Sequence, residues 1–258
     1  MPGTYAHYSF GIKVFDETDN HITRIIATNL DLFLLGLHGT DIFSFYKPLQ
    51  NNKINQIPYD IFSQTINTFF INAKKIILNS TEKEQLLSYI LGFICYFILN
   101  NQCNPYINKI SYKTEFSLKE IESEFDKFIL IKNRKNPLKV DLVNHLSTDI
   151  EIIEYICPFF NVEKKYIKSA IESMKSLTSL YTTSNKLVRF IALKILKFTG
   201  NYDEMQGLFF YSDRNTKCKK ECEELYNLYN KSIEKSIIAM DNFYDFLYNK
   251  EPLSCIFL

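Results

Sequence analysis

Between Gly92 and Tyr106 the chain reads GFICYFILNNQCNPY, and no other stretch restricts the fold as strongly. From Tyr89 to Leu99 apolar side chains lie all round a helical circumference, Gly92 aside, so this helix has to be enclosed by other elements on every side. Within it Tyr96, Asn100 and Asn104 stand four apart. At about 100° per residue they share one stripe of the helix. A polar row inside a core is either a hydrogen-bonded network or the floor of a site. The expectation is a satisfied core network, with direct contact to a ligand as the alternative.

What surrounds that helix should also be helical. With 7 Gly, 7 Pro, no Trp and 46% hydrophobic residues, the chain lacks the turn-rich texture of a sandwich or barrel. Its 258 residues suffice for one large core, and no Pro-, Gly- or Ser-rich linker divides them. The expected architecture is all-α, a single compact multi-helix domain over 1–258.

A formal net charge of +1 provides no global field to attract nucleic acid, so no nucleic-acid partner is expected. The start MPGTYAHYSFG lacks the basic and apolar regions of a secretory signal, and no uninterrupted apolar run reaches about 18 residues. No transmembrane segment is expected, and the location is read as cytoplasmic. The six cysteines, Cys95, Cys103, Cys157, Cys218, Cys222 and Cys255, are read as reduced thiols. Cys218 and Cys222 could supply half of a metal site, but no second Cys/His pair completes it.

Periodicity and capping signals place the helices. A helix is expected to reach Gly36 or Gly39, followed by the loop GLHGTDIFSFYKP with His38 and Asp41. Further helices are expected from Tyr59 to Leu78, from a Thr81/Glu84 capping box to Pro105, and from a Ser117/Glu120 capping box onward. Short helices are read at Pro137 to His145 and Asp149 to Cys157. Longer ones are read at Val162 to Tyr181, Lys186 to Phe198, and about Thr216 to Tyr248. His21 and His145 carry no motif and are read as surface or helix-end residues.

Several blocks, MPGTYAHYSFG, GLHGTDIFSFYKPL, GFICYFILNNQCNPYI, IESEFDKF, CPFF and FTGNYDEMQGL, occur in an order and spacing that resembles the bacterial zinc-dependent phospholipase C-like family. The resemblance implies an all-helical domain in which His, Asp and Glu side chains hold zinc ions, and metal-bound water attacks a phosphodiester. Such a site needs imidazole, thiolate or carboxylate ligands. His7, Asp41 and Glu122 match family ligands.

At other family ligand positions the match implies replacement. Tyr96, Asn100 and Asn104 stand where the family has His, Asp and His, while Phe62 and Leu118 stand at two further histidine positions. His38 is read as a loop-fixing neighbour of this former pocket. Asp to Asn keeps shape while removing charge, and Tyr is neutral near pH 7, so the changes fit a pocket that has lost its cations.

The resemblance therefore implies a phospholipase C-like domain with an eroded metal site, a catalytically weak or inactive binding or regulatory module. Zinc is the family cofactor; here the expectation is at most one weakly bound divalent metal at His7, Asp41 and Glu122. The alternative is a metal-dependent phosphodiesterase with a reduced metal set. The expected ligand is a phospholipid or another phosphodiester. In KLVRFIALKILKF the basic residues Lys186, Arg189, Lys194 and Lys197 share an arc of roughly 140°. A core-packed amphipathic helix is expected there, and a helix lying on an anionic membrane is the alternative.

Overall fold

Residues 1–18, 21–63, 66–211, 218–249 and 251–254 are described by a computed structural model of the chain. Among them there are helices and turns and no strand. The helices are α1 (Thr4–Glu17), α2 (His21–Thr28), α3 (Leu30–Gly36), α4 (Asp41–Ser44), α5 (Ile57–Ser63), α6 (Ile66–Asn79) and α7 (Lys83–Lys113). They continue as α8 (Leu118–Lys132), α9 (Ile150–Glu154), α10 (Cys157–Phe160), α11 (Lys164–Tyr181), α12 (Lys186–Phe198), α13 (Tyr202–Met205) and α14 (Lys219–Tyr248). A 3-10 turn, Gln206–Leu208, follows α13.

The residues group into two compact units. The first comprises Met1–Phe10, Leu99–Asn144 and Lys175–Ser232, and the second Gly11–Ile98, His145–Met174 and Ile233–Leu258. The central helix α7 runs through the boundary at Ile98/Leu99, and residues 86–96 of it are buried without a break. By length and a mean hydropathy of 1.4 it could cross a membrane, but 83% of its apolar window is buried within the chain, as in a core helix. Pro105 does not stop it. The ring removes the bond that residue 105 would give to the carbonyl of Asn101, and Asn101 is exposed, so water can satisfy that oxygen.

In the second unit α3 crosses α7 at two glycines. A Cβ on Gly36 would lie 2.2 Å from the Tyr89 carbonyl oxygen, and one on Gly92 would lie 2.1 Å from that of Phe33. Only hydrogen at both positions permits this backbone approach. Around it Phe69 stacks on Phe93 at 4.4 Å, Phe43 meets Phe160 edge-on at 4.8 Å, and Tyr89 stacks on Phe159 at 5.4 Å. The periodic run expected to be one helix is broken at Asn29, whose φ of −129° and ψ of 44° are not helical. Its side chain donates to Ile25 O and its carbonyl accepts from Ser88 Oγ, so the break is held from both sides.

The first unit is built on α8, which opens with the expected capping box between Ser117 and Glu120. Ser123 Oγ of α8 donates to Gly207 O at 2.6 Å and ties the 3-10 turn to it. Phe10 and Phe125 meet the ring of Tyr229 edge-on, and Tyr229 donates to Ser9 Oγ at 3.2 Å. Asn133 then bridges Tyr5 Oη and Ser9 Oγ, both at 3.1 Å.

Two other expectations change, while the reading of the cysteines as free thiols holds. Residues 137–145 form turns, not a helix. The start of α7 uses Ser80 Oγ as acceptor for the Glu82 N–H, not a Thr81 capping box. Cys95, Cys103, Cys157, Cys218 and Cys222 are free thiols, while Cys255 lies outside the described residues.

Candidate functional site

In the second unit the site centres on Tyr96. Its ring is wholly buried, and its hydroxyl donates to Oδ1 of Asp41 at 2.8 Å. Thr40 Oγ1 lies 3.1 Å from the same phenolic oxygen, and with the Tyr proton committed to the carboxylate, Thr40 is the donor there. Burial first, and the Asp41 charge second, push the phenol well above its ordinary pKa, so Tyr96 remains a neutral donor. Gly39 makes this geometry possible. Its φ is +45°, and a Cβ there would fall 2.2 Å from Cδ1 of Tyr96.

Phe62 is exposed, with its ring 6.4 Å from that of Tyr96, and so borders the group without closing it. His38 is buried, and its Nε2 lies 2.7 Å from Nε2 of His145, with the rings stacked 5.0 Å apart. One of the two nitrogens carries the proton and the other accepts it. His145 is therefore a structural partner of the loop, not a surface residue without a role. Two Nε2 atoms at this distance are too close to ligate one metal at about 2.0–2.1 Å each in tetrahedral geometry.

In the first unit Glu122, on the second turn of α8, is buried and already neutralised. Oε1 accepts from the Met1 amino group at 2.8 Å and Oε2 from Lys119 Nζ at 2.9 Å. Burial alone would raise its pKa, but Lys119 and the amino group outweigh burial and hold the carboxyl below its ordinary value. One turn on, Asp126 accepts the backbone N–H groups of Tyr5 and Ala6 at 2.9 and 2.8 Å and anchors the start of α1. His7 lies in this first turn, buried, with its backbone N–H on Gly3 O at 3.2 Å.

Asn100 and Asn104 belong to this unit as well. Asn100 is buried, and among the described residues neither Oδ1 nor Nδ2 has a hydrogen-bond partner; the same holds for Oδ1 of Asn104. The expected satisfied network is thus met at Tyr96 and not at these two amides. Leu118 is exposed at the start of α8.

Among the described residues no three His, Cys, Asp or Glu side chains come together as a metal-holding group, so His7, Asp41 and Glu122 do not form one. With two ammonium groups on Glu122 and a phenol on Asp41, the donor set does not fit a zinc cluster. Cys218 and Cys222, with Sγ atoms 4.0 Å apart, are both buried and join no larger metal-holding group among the described residues.

Thr40, Lys119, Asp126 and His145 were not singled out from the sequence as members of the site. Thr40 adjoins Asp41 and Asp126 sits four after Glu122, so local spacing contained a signal for both. His145 is 107 positions from His38 and left none. Compared with protein-family models, with curated proteins and with solved structures, the chain finds no match in any of the three.

Proposed function

We propose that the chain is a phospholipase C-like helical module that binds a phosphodiester-type ligand and does not hydrolyse it through a zinc cluster. The observation that carries this reading is the buried amide of Asn100, which offers one donor group and one acceptor with no partner among the described residues. Leaving such groups unpaired costs about 1–3 kcal/mol each. A phosphodiester supplies acceptor oxygens for Nδ2, and a free hydroxyl on its alcohol part, as on the glycerol of glycerophosphocholine, can donate to Oδ1. A neutral amide is suited to that task and is a poor zinc ligand.

The charge pairing at the positions matched to metal ligands supports the same reading. Hydrolysis in the metal-dependent manner requires a bound cation to bring the pKa of water from 15.7 to about 7. Here Glu122 is balanced by Met1 and Lys119, and Asp41 holds the Tyr96 hydroxyl.

The test combines three measurements on protein purified without chelators: zinc content, release of p-nitrophenol from a phosphodiester and of diacylglycerol from phosphatidylcholine vesicles, and calorimetric binding of glycerophosphocholine. The expected result is less than one zinc per chain, no turnover with added zinc, and binding that Asn100→Leu abolishes. Two or more zincs per chain, with turnover lost in both His7→Ala and Asp41→Ala, would overturn the reading in favour of a metal-dependent phosphodiesterase.

A further inference from the structure

Helix α12 is the least enclosed of the long helices in the first unit. It buries only Ala192 and Leu196. Its large apolar side chains point outward instead: Leu187 is 66% exposed, Phe190 57%, Ile191 50%, Ile195 54% and Phe198 94%. The core-packed reading of KLVRFIALKILKF is therefore corrected. The sequence period placed these residues on one side of a helix, and among the described residues that side is left largely exposed.

The helix does not need that face to be covered in order to form. Asn185 caps its start, accepting from the N–H groups of Leu187 and Val188 at 3.0 and 3.3 Å. Its end is closed by Gly200 at φ +76°, with Asn201 N donating to Leu196 O at 2.9 Å and Gly200 N to Lys197 O at 3.3 Å. A rigid, capped helix thus presents an apolar surface about 16 Å long, from Leu187 to Phe198 at about 1.5 Å per residue.

Charge decides what that surface fits. The thirteen residues of α12 include three lysines and one arginine and no acidic side chain. Arg189 is turned aside, with Nη2 on Thr183 O at 2.6 Å and its guanidinium 5.2 Å from the Tyr211 ring centre. Lys186, Lys194 and Lys197 are exposed. On the helical wheel Lys186 and Lys197 fall about 95–115° from the centre of the apolar face, just past its margin, and Lys194 lies within it, beside Phe190. Lysines at the rim of a Phe/Leu/Ile face can run their alkyl stems along it and place their ammonium groups among lipid phosphates.

We infer that the exposed face of α12, built from Leu187, Phe190, Ile191, Ile195 and Phe198 with its rim of lysines, docks the protein on an anionic lipid bilayer. The helix lies in the interfacial plane with Phe198 entering deepest. None of these residues belongs to the site around Asn100, so membrane docking and ligand binding are separable.

The experiment is flotation of the full chain with vesicles of phosphatidylcholine alone, or of phosphatidylcholine with about 30 mol% phosphatidylserine. Each lysine near an anionic surface contributes about fivefold, so three set an expected preference for the charged vesicles on the order of a hundredfold. Phe190→Ser with Phe198→Ser should lower binding at least about tenfold. Lys186→Gln, Lys194→Gln and Lys197→Gln together should remove the preference for phosphatidylserine while leaving some apolar binding. Tyr112→Ser, an exposed aromatic on α7, is the control and should change nothing, and circular dichroism checks that every variant remains helical. No flotation with charged vesicles, no preference for them over neutral ones, or phenylalanine variants that bind like the control each overturn the inference. So does a concentration-dependent dimer in ultracentrifugation that the phenylalanine changes abolish without any vesicle binding, which assigns the face to a second copy of the chain.

Discussion

The hydroxyl of Tyr96 donates a 2.8 Å hydrogen bond to Oδ1 of Asp41, joining the buried middle of α7 to the first residue of α4. A bond to an ionised acceptor in a buried setting is among the stronger ones, about 1.5–3 kcal/mol. Tyr96→Phe keeps the ring and removes the donor, leaving the Asp41 carboxylate and Thr40 hydroxyl to reorganise. The expected loss is about 2 kcal/mol in urea unfolding at neutral pH. A loss under about 0.5 kcal/mol would show that the bond contributes little.

Asn100→Leu should move stability the other way. Removing a buried amide that has no partner among the described residues relieves its desolvation cost, so the variant should gain about 1 kcal/mol or more while losing ligand binding. Thermal and urea unfolding read the first effect and calorimetry the second. A destabilised variant would mean that the amide is paired in solution and belongs to the scaffold.

The glycines should rank by what surrounds them. Gly36→Ala drives a Cβ to 2.2 Å of a backbone oxygen and cannot be relieved by rotating a side chain, so about 3 kcal/mol or more is expected. Gly200→Ala meets nothing within 4 Å and carries only the strain of φ +76°, about 1 kcal/mol. Unfolding midpoints that place the two variants level would contradict the close crossing of α3 and α7.

Two buried groups should bend the pH profile in opposite directions. Burial pushes the His38 imidazole down to about 3. The unfolded chain therefore takes up a proton below about 6.5 that the folded protein refuses, and stability falls with pH by up to about 1.4 kcal/mol per unit. Burial pushes the Asp126 carboxyl up to about 7, against the two backbone N–H groups that favour its charge. Here the folded protein takes its proton first, so stability is gained as pH falls from about 7 towards the ordinary carboxylate range. Differences separate them: between about pH 7 and pH 5 the advantage of wild type over His38→Gln should narrow, and that over Asp126→Asn should widen. Parallel profiles for wild type and variant would remove the corresponding group from the account.

Much of the helical framework was legible from neighbouring residues. The Ser117/Glu120 box, the span Lys186–Phe198 and the burial of α7 from Leu86 to Tyr96 all follow from capping and periodicity, which act within a few turns. The row of Tyr96, Asn100 and Asn104 was likewise visible as a stripe on that helix. A Pro reads as a helix stop by the same local rule, and Pro105 escapes it because an exposed carbonyl tolerates the lost bond.

What the side chains meet was settled only by tertiary structure. The pattern of α12 puts Leu187, Ile191 and Phe198 on one side, and a core-facing side and a solvent-facing side produce the same pattern. The family resemblance makes Glu122 a candidate ligand, but its charge state depends on Met1, brought from 121 positions away, as well as on its helix neighbour Lys119. The His38–His145 pair is likewise non-local. Local periodicity sets which residues share a direction; which partner lies in that direction, and therefore each group's protonation and hydrogen bonding, is set by segments that approach only when the chain is folded.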